Sequence, residues 1–85
     1  MAHNLIIKPR AERDLEGLPR DLAATVDAAV VALADEPRPR GAKKLAGAED
    51  LWRVRVGDYR ILYSIDHAQA VVTVARIRHR REAYR

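Results

Sequence analysis

Arg53, Arg55 and Arg60 lie close together in the segment LWRVRVGDYRILYSI (51–65), and Arg78, His79, Arg80, Arg81 and Tyr84 crowd the C-terminus. Guanidinium groups that converge on one point grip phosphate oxygens bidentately and stabilise the extra negative charge of a pentacoordinate phosphorus. Arginine does not give up a proton near neutral pH, so proton transfer must belong to another group. Histidine is the residue type suited to proton transfer near neutral pH, which makes His79 a candidate. The Tyr84 phenol ionises more readily when positive charges surround it. Either ring could instead stack on an unpaired RNA base. The residues themselves leave the choice between His79 and Tyr84 open.

Whether the arginines converge depends on the elements that carry them. Gly57-Asp58, flanked by alternating apolar residues, predicts a two-residue hairpin turn between strands Leu51–Val56 and Tyr59–Ile65. Such a turn sets Val56 opposite Tyr59, Arg55 opposite Arg60, Val54 opposite Ile61, Arg53 opposite Leu62 and Trp52 opposite Tyr63. Side chains alternate across a strand, so Trp52, Val54, Val56, Tyr59, Ile61 and Tyr63 share a core-facing side. Arg53, Arg55 and Arg60 share the other. Like charges directly opposite on a sheet destabilise it by roughly 0.2–1 kcal/mol. No acidic residue on either strand is placed to neutralise the trio, which favours an anion site over a merely solvated face.

A third strand is expected over Val71–Ile77, completing a meander. Its register depends on the linker Asp66–Gln69, and a one-residue change flips every side chain. The facing of Arg76 is therefore open at this level. Upstream, Asn4–Lys8 reads as a short strand. Pro9 suits a helix start, with Glu12 and Asp14 taken as favourable negative charge near its N-terminus and a stop near Gly17. A second helix begins at Pro19–Asp21; Leu22, Val26, Ala29, Val30 and Leu33 form its apolar stripe, and Pro37 and Pro39 end it. Arg38–Asp50 reads as a basic loop that brings Lys43 and Lys44 as RNA-binding candidates, and His79–Arg85 as a helical turn or ordered tail. The fold class is α+β: a short N-terminal strand, a helical hairpin, then a three-stranded antiparallel meander packed on the helices.

Eighty-five residues allow one domain, 1–85, with one sheet against one helical layer. The net charge of +4 conceals a dipole: residues 1–36 carry four Lys/Arg against seven Asp/Glu, and residues 37–85 carry twelve against five. A basic sheet half favours a polyanionic or acidic protein partner. There is no cysteine, and His3, His67 and His79 are dispersed without carboxylates at ligand spacing, so neither metal nor cofactor is expected. MAHNLIIKPR is too short and polar for a signal peptide, and no apolar run reaches membrane-span length, so a cytoplasmic protein without membrane contact is expected. Phosphodiester cleavage without metal would use the 2′-hydroxyl of RNA as nucleophile and leave a cyclic phosphate.

The order of elements, together with KKLAG, LWRVRVGDYRILYSID and RHRREAYR, resembles the RelE toxins of bacterial type II toxin–antitoxin systems over essentially the whole chain. The resemblance implies a ribosome-dependent endoribonuclease that cuts mRNA in the A site, inhibits translation and is silenced by a cognate antitoxin in a hetero-oligomer. It places phosphate-clamping roles on Arg53, Arg55 and Arg60, a further arginine on Arg78 (or Arg80 or Arg81), and the family's C-terminal tyrosine on Tyr84. Arginines stand at 53 and 55 where the best-studied member has lysines. A glutamate used by one branch is not matched, since Lys43 and Lys44 occupy that region. The alternative is a ParE-like toxin of the same fold, which inhibits DNA gyrase by protein contact and cleaves nothing.

Overall fold

The computed structural model describes residues 3–45 and 50–83, with the side chains of 82 and 83 left aside. Pro9, its φ already helical, opens α1 (Pro9–Glu16) directly after strand β1 (Asn4–Ile7). Pro19 then offers its carbonyl to Leu22 and Ala23 and starts α2 (Arg20–Asp35), which stops ahead of Pro37. Val26, Val30 and Leu33 recur at helical spacing and are fully or almost fully buried, while Leu22 stays half-buried. They pack with Ala11 of α1 on Ile61, Tyr63, Ile65, Val72, Val74 and Ile77 of the sheet.

Among the described residues the sheet has five strands, where a short N-terminal strand and a meander of three were expected. Its order is β1–β5–β4–β3–β2, where β2 is Lys43–Lys44, β3 Leu51–Val56, β4 Tyr59–Asp66 and β5 Val71–His79. β1 lies parallel to β5, and every other pairing is antiparallel. Part of the expected 38–50 loop is therefore the edge strand β2, too short for any two-residue period to reveal. The chain ends its described part in a single turn, α3 (Arg80–Ala83).

The β3–β4 register is the one the turn predicts, from Val56↔Tyr59 to Trp52↔Tyr63. Gly57 has φ +59°, as a two-residue turn with glycine first requires. Trp52, Val54, Val56 and Tyr59 pack against the core, which confirms the helix-facing side of the hairpin. Tyr63 is fully buried, and its hydroxyl donates to the Pro37 carbonyl at 2.6 Å, tying the end of α2 to the middle of the sheet. Burial, reinforced by the Glu36 charge, pushes the Tyr63 phenol up to about 12. Among the described residues no helix is long and apolar enough to cross a membrane.

Candidate functional site

The register of β5 decides which C-terminal residues join the arginines. Residues 67–70 link β4 to β5; the Asp66 carboxylate accepts the Gln69 N–H at 3.0 Å, and Ala70 takes φ +54°. Pairing then runs regularly from Asp66↔Val71 to Tyr63↔Val74. There the register shifts: Leu62 pairs with Arg76, and Ala75 is the extra residue of a bulge. The bulge resets the alternation. Val72 and Val74 point into the core before it and Ile77 after it, which sends Arg76 and Arg78 to the opposite face.

Arg55, Arg60 and Arg78 consequently form one row across three strands, through the pairs Arg55↔Arg60 and Arg60↔Arg78. The neighbouring row is Lys43↔Arg53↔Leu62↔Arg76. Both rows lie on the sheet face opposite the core residues Ile61, Tyr63 and Ile77. Arg60, at the centre, is only 9% exposed, while Arg53 and Arg78 are half-buried and Arg55 exposed. The Arg55 Nε donates to the Gly57 carbonyl at 2.9 Å, so this side chain curls toward the turn. Strand neighbours of this kind sit about 5 Å apart, close enough for Arg55, Arg60 and Arg78 to reach one phosphate group.

Not every candidate joins this face. Lys43 does, but Lys44 pairs with Trp52 and projects to the other side. His79 pairs with Tyr59, on the helix-facing side, and the two rings meet edge to face with centroids 5.2 Å apart. The His79 Nδ1 accepts the Arg81 N–H at 3.2 Å. The fold thus holds His79 on the face opposite the Arg55–Arg60–Arg78 row, because the bulge that turns Arg78 outward turns His79 inward. Arg80 and Arg81 are exposed on α3; the Arg80 N–H donates to the Asp58 carbonyl at 2.7 Å, and its guanidinium stands 4.0 Å from the Asp58 carboxylate. Tyr84 lies outside the described residues.

Asp14, taken from sequence as favourable charge near a helix N-terminus, has a different place. It sits in the second half of α1, and its carboxylate accepts from the Arg76 Nε at 2.9 Å, the Arg76 Nη2 at 3.3 Å and the Ile77 N–H at 2.9 Å. Burial works to raise its pKa. The Arg76 and Ile77 hydrogen bonds, with the charges of Arg76 and Arg78, outweigh burial and hold the carboxyl below its ordinary value. Local sequence offers no signal for a partnership across so long a stretch of chain. Among the described residues no group of three or more His, Asp or Glu is placed to hold a metal ion.

A row of guanidiniums on an open sheet face can bind a phosphodiester and stabilise charge that develops on it. Comparison with known proteins sets this geometry in a family. The family model described as ParE toxin of type II toxin-antitoxin system, parDE, matches residues 5–84. The chain is 38% identical to Toxin RelG of Mycobacterium tuberculosis, covering 100% of this chain and 99% of that protein. It is 33% identical to Toxin RelE of the same organism, over 98% of this chain and 87% of that protein. Among solved structures, the toxin–antitoxin complex RelBE2 from Mycobacterium tuberculosis contains a chain that superposes with a TM-score of 0.82 at 31% identity, covering 93% of this chain and 92% of that one. The archaeal RelE–RelB complex from Pyrococcus horikoshii OT3 gives a TM-score of 0.82 at 29% identity, over 94% of this chain and 97% of its own. With a match spanning nearly its whole length and relatives of equal extent, this protein belongs to the RelE/ParE superfamily, the toxins of type II toxin–antitoxin systems.

Proposed function

We propose that the protein is a ribosome-dependent endoribonuclease that cuts mRNA in the A site and so inhibits translation. The observation that carries this reading is the Arg55–Arg60–Arg78 row, three guanidiniums in register on the face turned away from the core. Three guanidiniums so aligned match the oxygens of a phosphodiester. Arg60 and Arg78 bind the non-bridging oxygens of the scissile phosphate, with Arg55, Arg53 and Lys43 holding flanking phosphates. The 2′-hydroxyl preceding that phosphate gives its proton to a base and attacks phosphorus, the bond to the 5′-oxygen breaks and that oxygen takes up a proton from solvent, and the products carry a 2′,3′-cyclic phosphate and a 5′-hydroxyl. Of the two proton carriers, His79 faces the other side of the sheet beside Tyr59, so the base role passes to Tyr84. Arg80 and Arg81 extend the basic surface toward ribosomal and messenger RNA. The reaction requires no metal.

The partner that silences the toxin is a cognate antitoxin. The solved relatives named above are themselves toxin–antitoxin complexes, and an acidic antitoxin segment complements the basic sheet half. The test of the activity is to incubate the protein with mRNA on programmed ribosomes and map the 5′ ends of the products. Cleavage confined to the A-site codon supports the reading.

One observation favours a second reading: the family model that matches describes ParE toxins. On that reading the protein inhibits DNA gyrase by protein contact and cleaves no nucleic acid. Intact message combined with loss of gyrase supercoiling would select it.

A further inference from the structure

β1 supports β5 only as far as Val74: the parallel register ends at Ile7↔Val74, the Lys8 N–H donates to the Val74 carbonyl, and Pro9 turns the chain into α1. Past the Ala75 bulge, the segment Arg76–His79 has β4 on one side and, among the described residues, no strand on the other. An edge N–H left there would be open to solvent and the strand end prone to fray. Instead α1 lays one carboxylate against this edge. Asp14 accepts from the outward Ile77 N–H and from the Arg76 Nε and Nη2, with its own side chain only 17% exposed and that of Arg76 29%.

Arg76 and Ile77 immediately precede Arg78, and Arg78 stands directly opposite Arg60. We infer that Asp14 is a positioning residue for the arginine row: in place of a missing strand, it fixes the backbone that presents Arg78 and withdraws Arg76 from the phosphate site. The inference rests on the nuclease reading above. Asp14 touches neither substrate nor reacting atoms. It acts through Arg78, whose charge it also feels. With Arg76 held aside, the pair that meets the scissile phosphate is Arg60 and Arg78, with Arg55 on a flanking phosphate, and the geometry of the row depends on a helix remote in sequence.

The test is a double-mutant cycle between Asp14→Ala and Arg78→Ala, read as single-turnover cleavage on programmed ribosomes with saturation curves. A displacement of about 1 Å in a positioned group costs up to about a hundredfold in rate. Asp14→Ala should therefore lower kcat between about tenfold and a hundredfold while leaving the KM for the programmed ribosome little changed. Asp14→Glu should restore most of the loss, and Asp14→Ala should add nothing in the Arg78→Ala background. Amide exchange should quicken at Ile77 and Arg78 and stay slow at Val72 and Val74, separating local loosening from general unfolding; Asp14→Asn serves if the alanine variant does not fold. An unchanged kcat in a folded Asp14→Ala or Asp14→Asn protein, or losses that add fully to those of Arg78→Ala, overturns the positioning role and leaves the nuclease reading intact. If the parent protein leaves message uncut, the nuclease reading itself fails and the positioning role falls with it.

Discussion

Arg60 sits at the crossing of the row, flanked by Arg55 on one strand and Arg78 on the other, and is nearly buried among them. On the proposed nuclease reading, a guanidinium so placed would meet substrate with its geometry already set. Removing one such donor from a transition-state site costs about a hundredfold to a thousandfold in rate. Arg60→Ala is expected to lose at least about a hundredfold in cleavage while its fold and antitoxin binding persist, checked by single-turnover kinetics beside circular dichroism and a pull-down. His79 and Tyr84 divide differently: Tyr84→Phe should lower cleavage by about 10²–10⁴-fold, the usual contribution of a general base, whereas His79→Ala should change it little and cost stability through the lost Tyr59 ring contact. Both substitutions are read in the same cleavage assay, with thermal melts for the second. Sequence sufficed to nominate all of these residues, because residue type limits what each can do. It could not assign His79 a face, since one bulged alanine reverses the alternation.

At the level of elements, the hairpin was legible because Gly57-Asp58 specifies its own geometry and the two-residue period does the rest. Gly57 has φ +59°, and nothing lies within 4 Å of where a Cβ would be. Gly57→Ala should therefore destabilise through backbone conformation alone, by about 1–2 kcal/mol, seen as a lower urea midpoint with an unchanged slope. β1 and β2 were not legible as parts of this sheet. A parallel pairing across most of the chain leaves no local trace, and two lysines are too few to show a period. The Asp14–Arg76 contact was hidden for the same reason: its carboxylate comes from a helix remote in sequence from the strand it meets.

For the whole molecule, the link between α2 and the sheet sets a pH limit. Tyr63 is neutral and buried in the native state, with its pKa raised from 10.0 to about 12, mainly by burial and also by Glu36. The unfolded chain therefore loses this proton first. The contribution is intact below pH 10 and stability falls as pH rises toward 12, by up to about 1.4 kcal/mol per pH unit. Tyr63→Phe should abolish that slope while losing the Pro37 hydrogen bond at neutral pH, measured as urea unfolding at a series of pH values. Asp14 works with the opposite sign. Its folded pKa is depressed, so its stabilisation is present above the unfolded value of 3.8 and is lost as pH falls through the folded one. The charge dipole between the helical and sheet halves was visible in composition alone, and the fold explains it: the outward sheet face gathers the basic charge where a polyanion can meet it. The central claim, that this face cleaves RNA, is tested most directly by mapping 5′ ends of mRNA on programmed ribosomes with the parent protein and Arg60→Ala side by side. Cleavage in the A-site codon by the parent and its near-complete loss in the folded variant is the predicted result; equal cleavage by both, or intact message with the parent, would contradict it.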